Sequence, residues 1–223
     1  MRKKRNGSEV EEKEFSYTFL NENQRRLAKM INTFELTLCI GPPGTAKTFI
    51  SCAEAIKNLI EKKVDKIYII KSVTTIPGEE IGFLKGGLDE KMDPFIFSFK
   101  HNIVKLIGEA KTKQFFETSQ IDVLPIAYIR GISLDNCIVI CDECQNLTTH
   151  AFRTLLTRIG ENCKMICLGD VDQIDLKNKN ASSLKKVFEA LNDEKIGKMQ
   201  MTMEDVVRNP LIQRIEKIFQ NLI

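Results

Sequence analysis

The sequence predicts an α/β fold in which a mostly parallel sheet carries helices on both faces. Two observations lead to this prediction. Short runs of wholly apolar residues alternate along the chain with segments of helical periodicity, as expected for strands buried on both faces. One such run, at residues 36–40, passes into a glycine-containing stretch that opens a helix, and this order is typical of α/β proteins that bind phosphate groups.

The amino-terminal part of the chain shows the alternation most clearly. Asn21 is a capping-type residue at the start of the segment 19–32, in which Leu27, Met30 and Ile31 recur at helical spacing. The elements predicted next are a strand at 36–40, a helix at 47–63 with an apolar face, and a strand at 66–70.

The rest of the chain is less regular. Glycine and proline predict a loop at 74–87, and a helix is expected over 93–109. A strand within 121–129 is interrupted or preceded by Pro125. The remaining predictions are a strand at 137–141, a helix at 150–160 closed by Gly160, a strand at 164–169, helices at 181–192 and 204–221, and a last strand near 198–203.

Composition is that of a folded protein with no sign of a membrane span. Apolar residues make up 43% of the 223 residues and charged residues 28%, and no apolar run approaches the roughly 20 residues that a membrane helix needs. The charged start has no apolar segment of the kind found in secretory signals, so we expect a cytoplasmic protein. Residues 1–14 are expected to form a disordered tail and residues 15–223 a single domain.

Charge and cysteine content narrow the function classes only slightly. The net charge of +3 neither indicates nor excludes a nucleic-acid partner. The seven cysteines lie mostly in apolar stretches and are expected to be reduced core thiols. Cys141 and Cys144 form a C-x-x-C pair, but a structural zinc site needs further ligands and no histidine stands near, so a metal site is disfavoured there.

The stretch GPPGTAKT at residues 41–48 resembles the phosphate-loop pattern G-x-x-x-x-G-K-[ST]. Ala46 is the exception, since it stands where the pattern has glycine; it is tolerable with a negative φ and damaging with a positive one. In such loops the lysine, here Lys47, reaches the β/γ-phosphates and the hydroxyl of Thr48 holds Mg²⁺. The candidate nucleotide-binding residues are Gly41, Pro42, Pro43, Gly44, Thr45, Ala46, Lys47 and Thr48.

Acidic and amide side chains follow two later strands. Asp142 and Glu143 come at the end of the predicted strand 137–141, and Gln173 follows the strand 164–169. The carboxyl ends of parallel strands meet at one edge of the sheet, where ligands collect. Asp142 is therefore a candidate metal residue, Glu143 a candidate to orient or deprotonate the attacking water, and Gln173 a candidate sensor of the γ-phosphate.

With these three motifs in this order, the chain resembles the PhoH family of phosphate-loop ATPases. The likeness extends over residues 18–219 and is carried by the segments 76–95, 125–176 and 205–215. The family is similar to the first RecA-like half of superfamily-one helicases, which implies a RecA-like fold. By this resemblance Gln24, in LNENQ, reads adenine, and the implied activity is hydrolysis of ATP with Mg²⁺ to act on RNA or single-stranded DNA.

A cation must stabilise the charge that develops on the transferred phosphate, and a single RecA-like half has no second half to supply it. We expect a neighbouring subunit to do so, which predicts a homo-oligomer, and the resemblance implies a hexameric ring. The candidate residues are Arg158, Arg208 and Arg130. The loop 71–87 is the candidate contact with nucleic acid. We nevertheless expect Phe83, in this loop, to pack in the core.

Two other functions stay open at this point. The protein is a non-catalytic ATP-dependent switch or nucleic-acid-binding module if Ala46 makes hydrolysis negligible. A small phosphate-loop kinase is less expected, because Glu143 is placed to act on water. The short chain and its use of lysine, isoleucine and asparagine suit a phage protein with an AT-rich genome.

Overall fold

The computed structural model describes residues 13–71 and 88–207, together with Leu211, Arg214, Ile215 and Ile218. The strands within these residues are β1 (Leu36–Ile40), β2 (Lys66–Lys71), β3 (Ile121–Val123), β4 (Cys137–Asp142), β5 (Cys163–Gly169) and β6 (Ile196–Gln200). The helices are α1 (Glu22–Thr33), α2 (Lys47–Ile60), α3 (Leu88–Ile107), α4 (Glu109–Glu117), α5 (Thr149–Leu156) and α6 (Leu184–Ala190). None of these helices combines the length and the apolar character that crossing a membrane requires.

The strands form one parallel sheet in the order β3-β2-β4-β5-β1-β6. β5 lies between β1 and β4, with Ile40 opposite Gly169 and Cys141 opposite Cys167. The ends of β1, β4 and β5 therefore lie side by side along one edge of the sheet, which we call the carboxyl edge. Ligands bind at this edge in open α/β sheets, so the strand order itself brings the three sequence motifs together.

Helices cover both faces of this sheet. Side chains alternate between the faces along each strand, so β1 directs Cys39 to one face and Leu38 to the other. The helices α1 to α4 pack on the Cys39 face through side chains such as Leu27, Ile56 and Phe99, while α5 and α6 pack on the opposite face. Burial on both faces explains the wholly apolar strands. The predicted α/β fold, with a parallel sheet between helices, is confirmed.

The helices on the Cys39 face follow the order of the strands beneath them. The helix α1 contacts β6, β1 and β5, α2 contacts β2, β4 and β5, and α4 contacts β3. The helix α2 also contacts α1 and α3. Since α4 continues directly from α3, the pair lies toward the β3 side of the sheet and α1 toward the β6 side. The helix that begins at the phosphate-loop motif is thus flanked by α1 and α3.

Several element boundaries differ from the sequence-based predictions. The helix predicted at 150–160 ends at Leu156, because Ile159 pairs with Leu134 as an isolated parallel bridge and the intervening residues must leave the helix. Gly160 therefore does not close the helix; its amide donates to the carbonyl oxygen of Leu134 at 3.2 Å. Pro125 follows β3 and does not interrupt it, since the strand ends at Val123.

One helix was not predicted, and the elements at the carboxyl-terminal end of the described chain are shifted from their predicted positions. The helix α4 was not predicted, and it begins directly after Gly108, whose φ of 80° breaks the preceding helix without a loop. The last strand begins at Ile196 instead of 198, and a short 3-10 helix, Met203–Asp205, stands where the long carboxyl-terminal helix was expected to start. The predicted loop at 74–87 and residues 1–12 of the predicted tail lie outside the described residues.

Candidate nucleotide-binding site

The phosphate-loop motif connects β1 to α2 at the carboxyl edge, as the sequence predicts. Gly41 begins the turn, and its amide donates to the carbonyl oxygen of Gly169 at 3.1 Å. A Cβ atom at Gly41 would lie 2.6 Å from the carbonyl oxygen of Met201, so the backbone after β6 approaches too closely for any other residue. The loop is therefore shaped by contacts with two neighbouring strands.

Ala46 lies in the left-handed region of backbone conformation, with φ 66° and ψ 22°, at the N-cap of α2. The condition under which alanine is tolerable, a negative φ, is not met. Left-handed backbone costs a residue with a Cβ atom about 1–2 kcal/mol. The carbonyl oxygen of Ala46 still accepts the first helical hydrogen bond, from the amide of Ile50 at 3.0 Å. The chain thus keeps the phosphate-loop conformation with a strained alanine.

Lys47 is almost fully buried at the first position of α2. Its ammonium group donates to the carbonyl oxygens of Gly41 at 2.6 Å and Pro42 at 2.8 Å, and to Thr45 Oγ1 at 3.3 Å. Burial lowers the pKa of Lys47, and nearby groups, including the carboxylates of Asp170, Asp142 and Glu143, oppose this shift. The loop carbonyls therefore hold a buried cation at the carboxyl edge.

The two candidate metal residues meet although they are far apart in the chain. Thr48 Oγ1 donates to Asp142 Oδ2 at 2.9 Å, and Asp142 Oδ1 accepts from the amide of Glu143 at 3.0 Å. A hydroxyl and a carboxylate are oxygen ligands of the kind that Mg²⁺ takes, and Mg²⁺ commonly uses few protein ligands beside water and phosphate. The donor set of Thr48 and Asp142 therefore fits this ion.

Glu143 is held by a side chain that sequence reasoning missed. Glu143 Oε2 accepts from Gln145 Nε2 at 2.7 Å, and Gln145 Oε1 accepts from the amide of Asp170 at 3.0 Å. Gln145 is fully buried, so it bridges the end of β4 to the end of β5 away from water. In the sequence, only its position two residues after Glu143 indicates a role at the site, because its other partner, the amide of Asp170, is 25 residues away.

The residues after β5 complete this side of the site. Asp170 is buried, and burial raises its pKa, while hydrogen bonding from the amide of Asp172 opposes the rise. Gln173, the candidate phosphate sensor, is exposed, and its amide donates to the carbonyl oxygen of Asp170 at 3.2 Å. Glu143, Asp170 and Gln173 all line the same cavity as Lys47.

This cavity has a volume of about 600 Å³ and lies over the amino-terminal end of α2. That volume is within the usual range for small-ligand sites. One wall consists of Pro43, Gly44, Ala46, Lys47 and Thr48. Residues of α3, whose contribution was not predicted, form another part of the wall, and Val207 also lines the cavity. The geometry thus gives a concave site with a buried lysine, carboxylates and an amide around one opening.

Gln24, the candidate adenine-reading residue, is buried near the start of α1. Its side-chain Oε1 accepts from the backbone amide of Leu20 at 2.9 Å, and its backbone amide donates to Asn21 Oδ1 at 2.8 Å. The buried Nε2 has no hydrogen-bond partner among the described residues. An unsatisfied buried donor costs about 1–3 kcal/mol. Gln24 does not line the cavity that contains Lys47.

A segment after β6 joins α1 to the loop, and the sequence did not reveal this contact. The amide of Val207 donates to the carbonyl oxygen of Gly44 at 3.0 Å. Asn23 Nδ2 donates to Asp205 Oδ1 at 2.8 Å, and Asn21 Nδ2 donates to the carbonyl oxygen of Asp205 at 3.3 Å. The segment 201–207 therefore fixes the start of α1, which carries Gln24, relative to the phosphate loop.

The candidate arginines do not line the cavity within the described residues. Arg158 lies at the opposite edge of the sheet, where its Nη1 donates to the carbonyl oxygen of Ile132 at 3.2 Å. Arg130 is exposed, and its Nη2 lies 2.9 Å from His150 Nε2. Arg208 lies outside the described residues. Arg158 therefore cannot serve the site of its own chain, and a role in a neighbouring subunit stays a prediction.

All seven cysteines are buried, which confirms the prediction that they lie in the core. Cys144 Sγ donates to the carbonyl oxygen of Cys141 at 3.2 Å, and the Sγ atoms of Cys137 and Cys163 are 3.9 Å apart. Burial raises the pKa of Cys39 to about 12. These thiols pack the two faces of the sheet beneath the site and do not line the cavity.

Comparison with known proteins places the chain among phosphate-loop proteins of one family. The family model described as PhoH-like protein matches residues 18–220. A PhoH-like protein of Synechocystis is 37% identical over 88% of the chain and 60% of its own length, and one of Bacillus subtilis is 36% identical over 86% and 60%. Protein PhoH of Escherichia coli is 36% identical over 87% of the chain and 55% of its own length. The chain thus spans 55–60% of these curated relatives.

Solved structures give weaker likenesses. The Pif1 helicase of Candida albicans is 16% identical, with a TM-score of 0.47 over 92% of this chain and 44% of the helicase. The Hef helicase domain of Pyrococcus furiosus is 13% identical, with a TM-score of 0.47 over 80% and 37%. Both TM-scores lie below 0.5.

Proposed function

Since the chain belongs to the family of PhoH-like proteins, we propose that it binds ATP with Mg²⁺, hydrolyses ATP and thereby acts on RNA or single-stranded DNA. The observation that carries the proposal is the hydrogen bond of 2.9 Å between Thr48 Oγ1 and Asp142 Oδ2. It joins the phosphate loop to the carboxylate at the end of β4, beside Lys47 and Glu143, in one cavity. This is the arrangement that phosphoryl transfer to water requires.

The loop and α2 supply the binding of the phosphates. Lys47 transfers its hydrogen bonds from the loop carbonyls to phosphate oxygens, which is favourable because an anion compensates a buried ammonium better than neutral carbonyls do. The amides at the start of α2 add the positive end of the helix dipole. Thr48 and Asp142 hold Mg²⁺, which supplies neutralisation of the charge that develops on the phosphates. Gln24 binds the adenine of the nucleotide, because its unpaired Nε2 is a donor that adenine N7 is able to accept from.

Glu143 acts on the attacking water. Gln145 holds one oxygen of its carboxylate at 2.7 Å, so the carboxylate keeps a fixed orientation while it accepts the proton of the water. Gln173 reports the presence of the γ-phosphate from the end of the neighbouring strand. The position of Glu143 beside a buried lysine and a metal-type carboxylate supports hydrolysis over simple nucleotide storage.

We further propose that the active form is a ring of identical subunits, a hexamer by family resemblance. The described residues offer no arginine at the cavity, so the second cation at the phosphate comes from a neighbour or from Arg208. Arg158 and Arg130 lie outside their own site, and Arg158 lies at the opposite edge of the sheet, where a neighbouring subunit is able to receive it.

The test is steady-state ATP hydrolysis by the purified protein, with and without single-stranded RNA and DNA, beside the variant Glu143→Gln. The variant is expected to lose roughly 10²- to 10⁴-fold in turnover, the usual worth of a general base, while it still binds ATP. Glu161→Gln is the matched control, because this exposed glutamate lies away from the cavity. Stimulation by one strand type identifies the substrate, and full turnover in Glu143→Gln removes the assigned base.

The left-handed Ala46 favours one alternative, a nucleotide-dependent switch with negligible turnover. A strained loop residue lowers the stability of the site and is able to slow the step that needs the most accurate geometry. Tight binding of ATP without turnover under any strand condition would support this alternative. Turnover that Glu143→Gln abolishes would exclude it.

A further inference from the structure

The wall of the cavity formed by α3 carries a stacked pair of rings that the proposed chemistry does not use. Phe97 and His101 line the cavity one helical turn apart. Their ring centroids are 6.1 Å apart and the ring planes are inclined by only 13°. Phe97 is 68% exposed, although a phenylalanine of a folded protein is usually buried. Phe97 therefore offers an accessible aromatic surface to a ligand in this cavity.

Core packing does not explain this position. The helix α3 already has a buried face, whose fully or nearly fully buried members are Phe99, Ile103, Leu106 and Ile107. Phe97 and His101 lie on the other side of the helix, and Lys105 continues the same stripe at the next turn. The helix therefore presents an aromatic ring, an imidazole and an ammonium group in a row along the cavity.

The charge and polarity of this stripe suit an anionic chain with stacking bases. The acidic residues of α3, Asp89, Glu90 and Asp93, all precede residue 94, and the part of the helix from 94 to 107 contains Lys100, His101 and Lys105 and no acidic residue. Ser98 and Asn102 also line the cavity and add neutral hydrogen-bonding groups. Single-stranded nucleic acid is bound by this combination, in which bases stack on aromatic rings and cations contact the backbone.

The position of α3 separates this stripe from the adenine end of a bound nucleotide. The helix α2 contacts both α1, which carries Gln24, and α3, and it stands between them on the sheet. A nucleotide with its base at Gln24 and its phosphates at Lys47 therefore extends toward α3 with its phosphate end. The stripe faces the cavity that Glu143 and Gln173 line, where the γ-phosphate is expected.

We propose that Phe97 and His101 form a stacking platform for one base of a single-stranded RNA or DNA, and that Lys105 contacts the adjoining backbone phosphate. This inference rests on the proposed function, since it names where the strand is held. A strand seated on the platform lies against the same cavity as the γ-phosphate residues, so hydrolysis and strand binding influence each other directly. The stripe thus places the bound strand beside the bound ATP within one subunit.

The absence of tryptophan from the sequence allows a direct test. The variant Phe97→Trp introduces a single tryptophan on the platform, and stacking of a base on the indole is expected to quench its fluorescence saturably. The probes are a 12-residue oligodeoxythymidylate and an oligouridylate of the same length. Tyr128→Trp is the matched control, because Tyr128 is 62% exposed and does not line the cavity; its emission is expected not to change.

Binding affinity gives the second measurement. Phe97→Ala is expected to weaken the strand affinity, measured by fluorescence anisotropy of labelled oligonucleotide, about 5- to 150-fold, the worth of stacking one base. Tyr128→Ala is expected to leave it unchanged. Thermal unfolding checks that both variants are folded. If Phe97→Ala unfolds, the quenching measurement on Phe97→Trp, which keeps an aromatic side chain at this position, provides the test.

The outcomes separate this inference from the proposed function. Strand-induced quenching with weaker binding in Phe97→Ala supports the platform. If ADP or a non-hydrolysable ATP analogue quenches the fluorescence and the oligonucleotides do not, the rings receive the base of the nucleotide, and the platform is overturned. Normal strand binding by Phe97→Ala without quenching in Phe97→Trp overturns the platform and leaves the proposed function intact. No strand binding by the unaltered protein, with or without nucleotide, overturns the platform and the nucleic-acid part of the proposed function, and leaves ATP hydrolysis to its own test.

Discussion

Ala46 departs from the phosphate-loop motif and occupies a backbone conformation that favours glycine. Its φ of 66° is the conformation that glycine adopts without penalty, and the sequence supplies alanine there. Contacts on both sides fix the backbone, because Gly41 is held against β5 and Met201, and Lys47 begins α2. The surrounding structure thus imposes the conformation, and the strain remains in the native state.

We expect Ala46→Gly to stabilise the protein. Relief of the left-handed strain contributes about 1–2 kcal/mol, and the greater freedom of glycine in the unfolded chain offsets part of it, so the net gain is about 1 kcal/mol. Thermal unfolding checks this as a rise of roughly 2–4 °C. Ala53→Gly is the control, because this buried residue in the middle of α2 has ordinary helical backbone and should be destabilised. A lower melting temperature for Ala46→Gly would contradict the assignment of strain.

Gln145 is the residue through which the ends of β4 and β5 are coupled. Replacement by methionine keeps the approximate volume but removes the hydrogen bonds to Glu143 and to the amide of Asp170. We expect kcat to fall by about 100-fold, because the base loses its orientation, while ATP affinity changes little. Measurement of kcat and of the ATP dissociation constant separates the two effects. An equal loss of affinity and turnover would indicate collapse of the site instead.

At the scale of elements, the segment 201–207 acts as a clamp between β6, the loop and α1. Thr202 and Asp205 form a reciprocal capping box in which Asp205 Oδ2 accepts from the amide of Thr202 at 2.9 Å. The other oxygen of the same carboxylate accepts from Asn23 Nδ2 at 2.8 Å. Asp205 is only 5% exposed, so the carboxylate that accepts these hydrogen bonds is largely removed from water.

We expect Asp205→Ala to destabilise the protein by about 2–3 kcal/mol, since it removes a cap and two hydrogen bonds to a largely buried carboxylate, from Thr202 and Asn23. It should also weaken ATP binding, because the clamp holds α1, with Gln24, against the loop. Urea unfolding and nucleotide titration measure the two effects. Glu204→Ala is the matched control: the neighbouring glutamate is exposed and should change stability by no more than about 0.5 kcal/mol. Equal behaviour of both variants would show that the clamp contributes nothing.

At the scale of the whole molecule, the site and its candidate arginine lie at opposite edges of one sheet. Lys47, Thr48 and Glu143 lie at the carboxyl edge, and Arg158 lies beside the bridge between Leu134 and Ile159, before β4 and β5 begin. Parallel strands separate the two edges, so no rotamer of Arg158 brings it to its own site. A head-to-tail assembly, by contrast, places one edge against the other and closes into a ring when the rotation permits.

Mixing of inactive variants tests this arrangement. Glu143→Gln lacks the base but keeps its arginines, and Arg158→Ala keeps the base but lacks one arginine. If Arg158 acts in a neighbouring subunit, mixed assemblies contain some complete sites, and turnover should exceed that of either variant alone. Arg208→Ala and Arg130→Ala are tested in the same way. A fully active monomer, established by sedimentation alongside the assay, would contradict the ring.

Local signals in the sequence were enough to predict the sheet and the centre of the site. Strands buried on both faces consist of apolar residues only, so β1, β4 and β5 were recognisable one by one. The parallel arrangement brings their carboxyl ends to one edge, which predicted that Lys47, Asp142 and Gln173 lie together, and all three line the cavity. The N-cap at Asn21 was equally local, because a capping side chain bonds an amide three residues away.

Only the tertiary structure decided the features that depend on partners distant in the chain. The close approach of Gly41 to Met201 needs the end of β6 beside the end of β1, and the bridge through Gln145 needs the end of β5 beside the end of β4. Whether Phe97 or Phe99 faces the core depends on how α3 docks against α2, since both are apolar and two residues apart. Sequence patterns report the environment that each residue requires, whereas long-range packing determines which residue meets which.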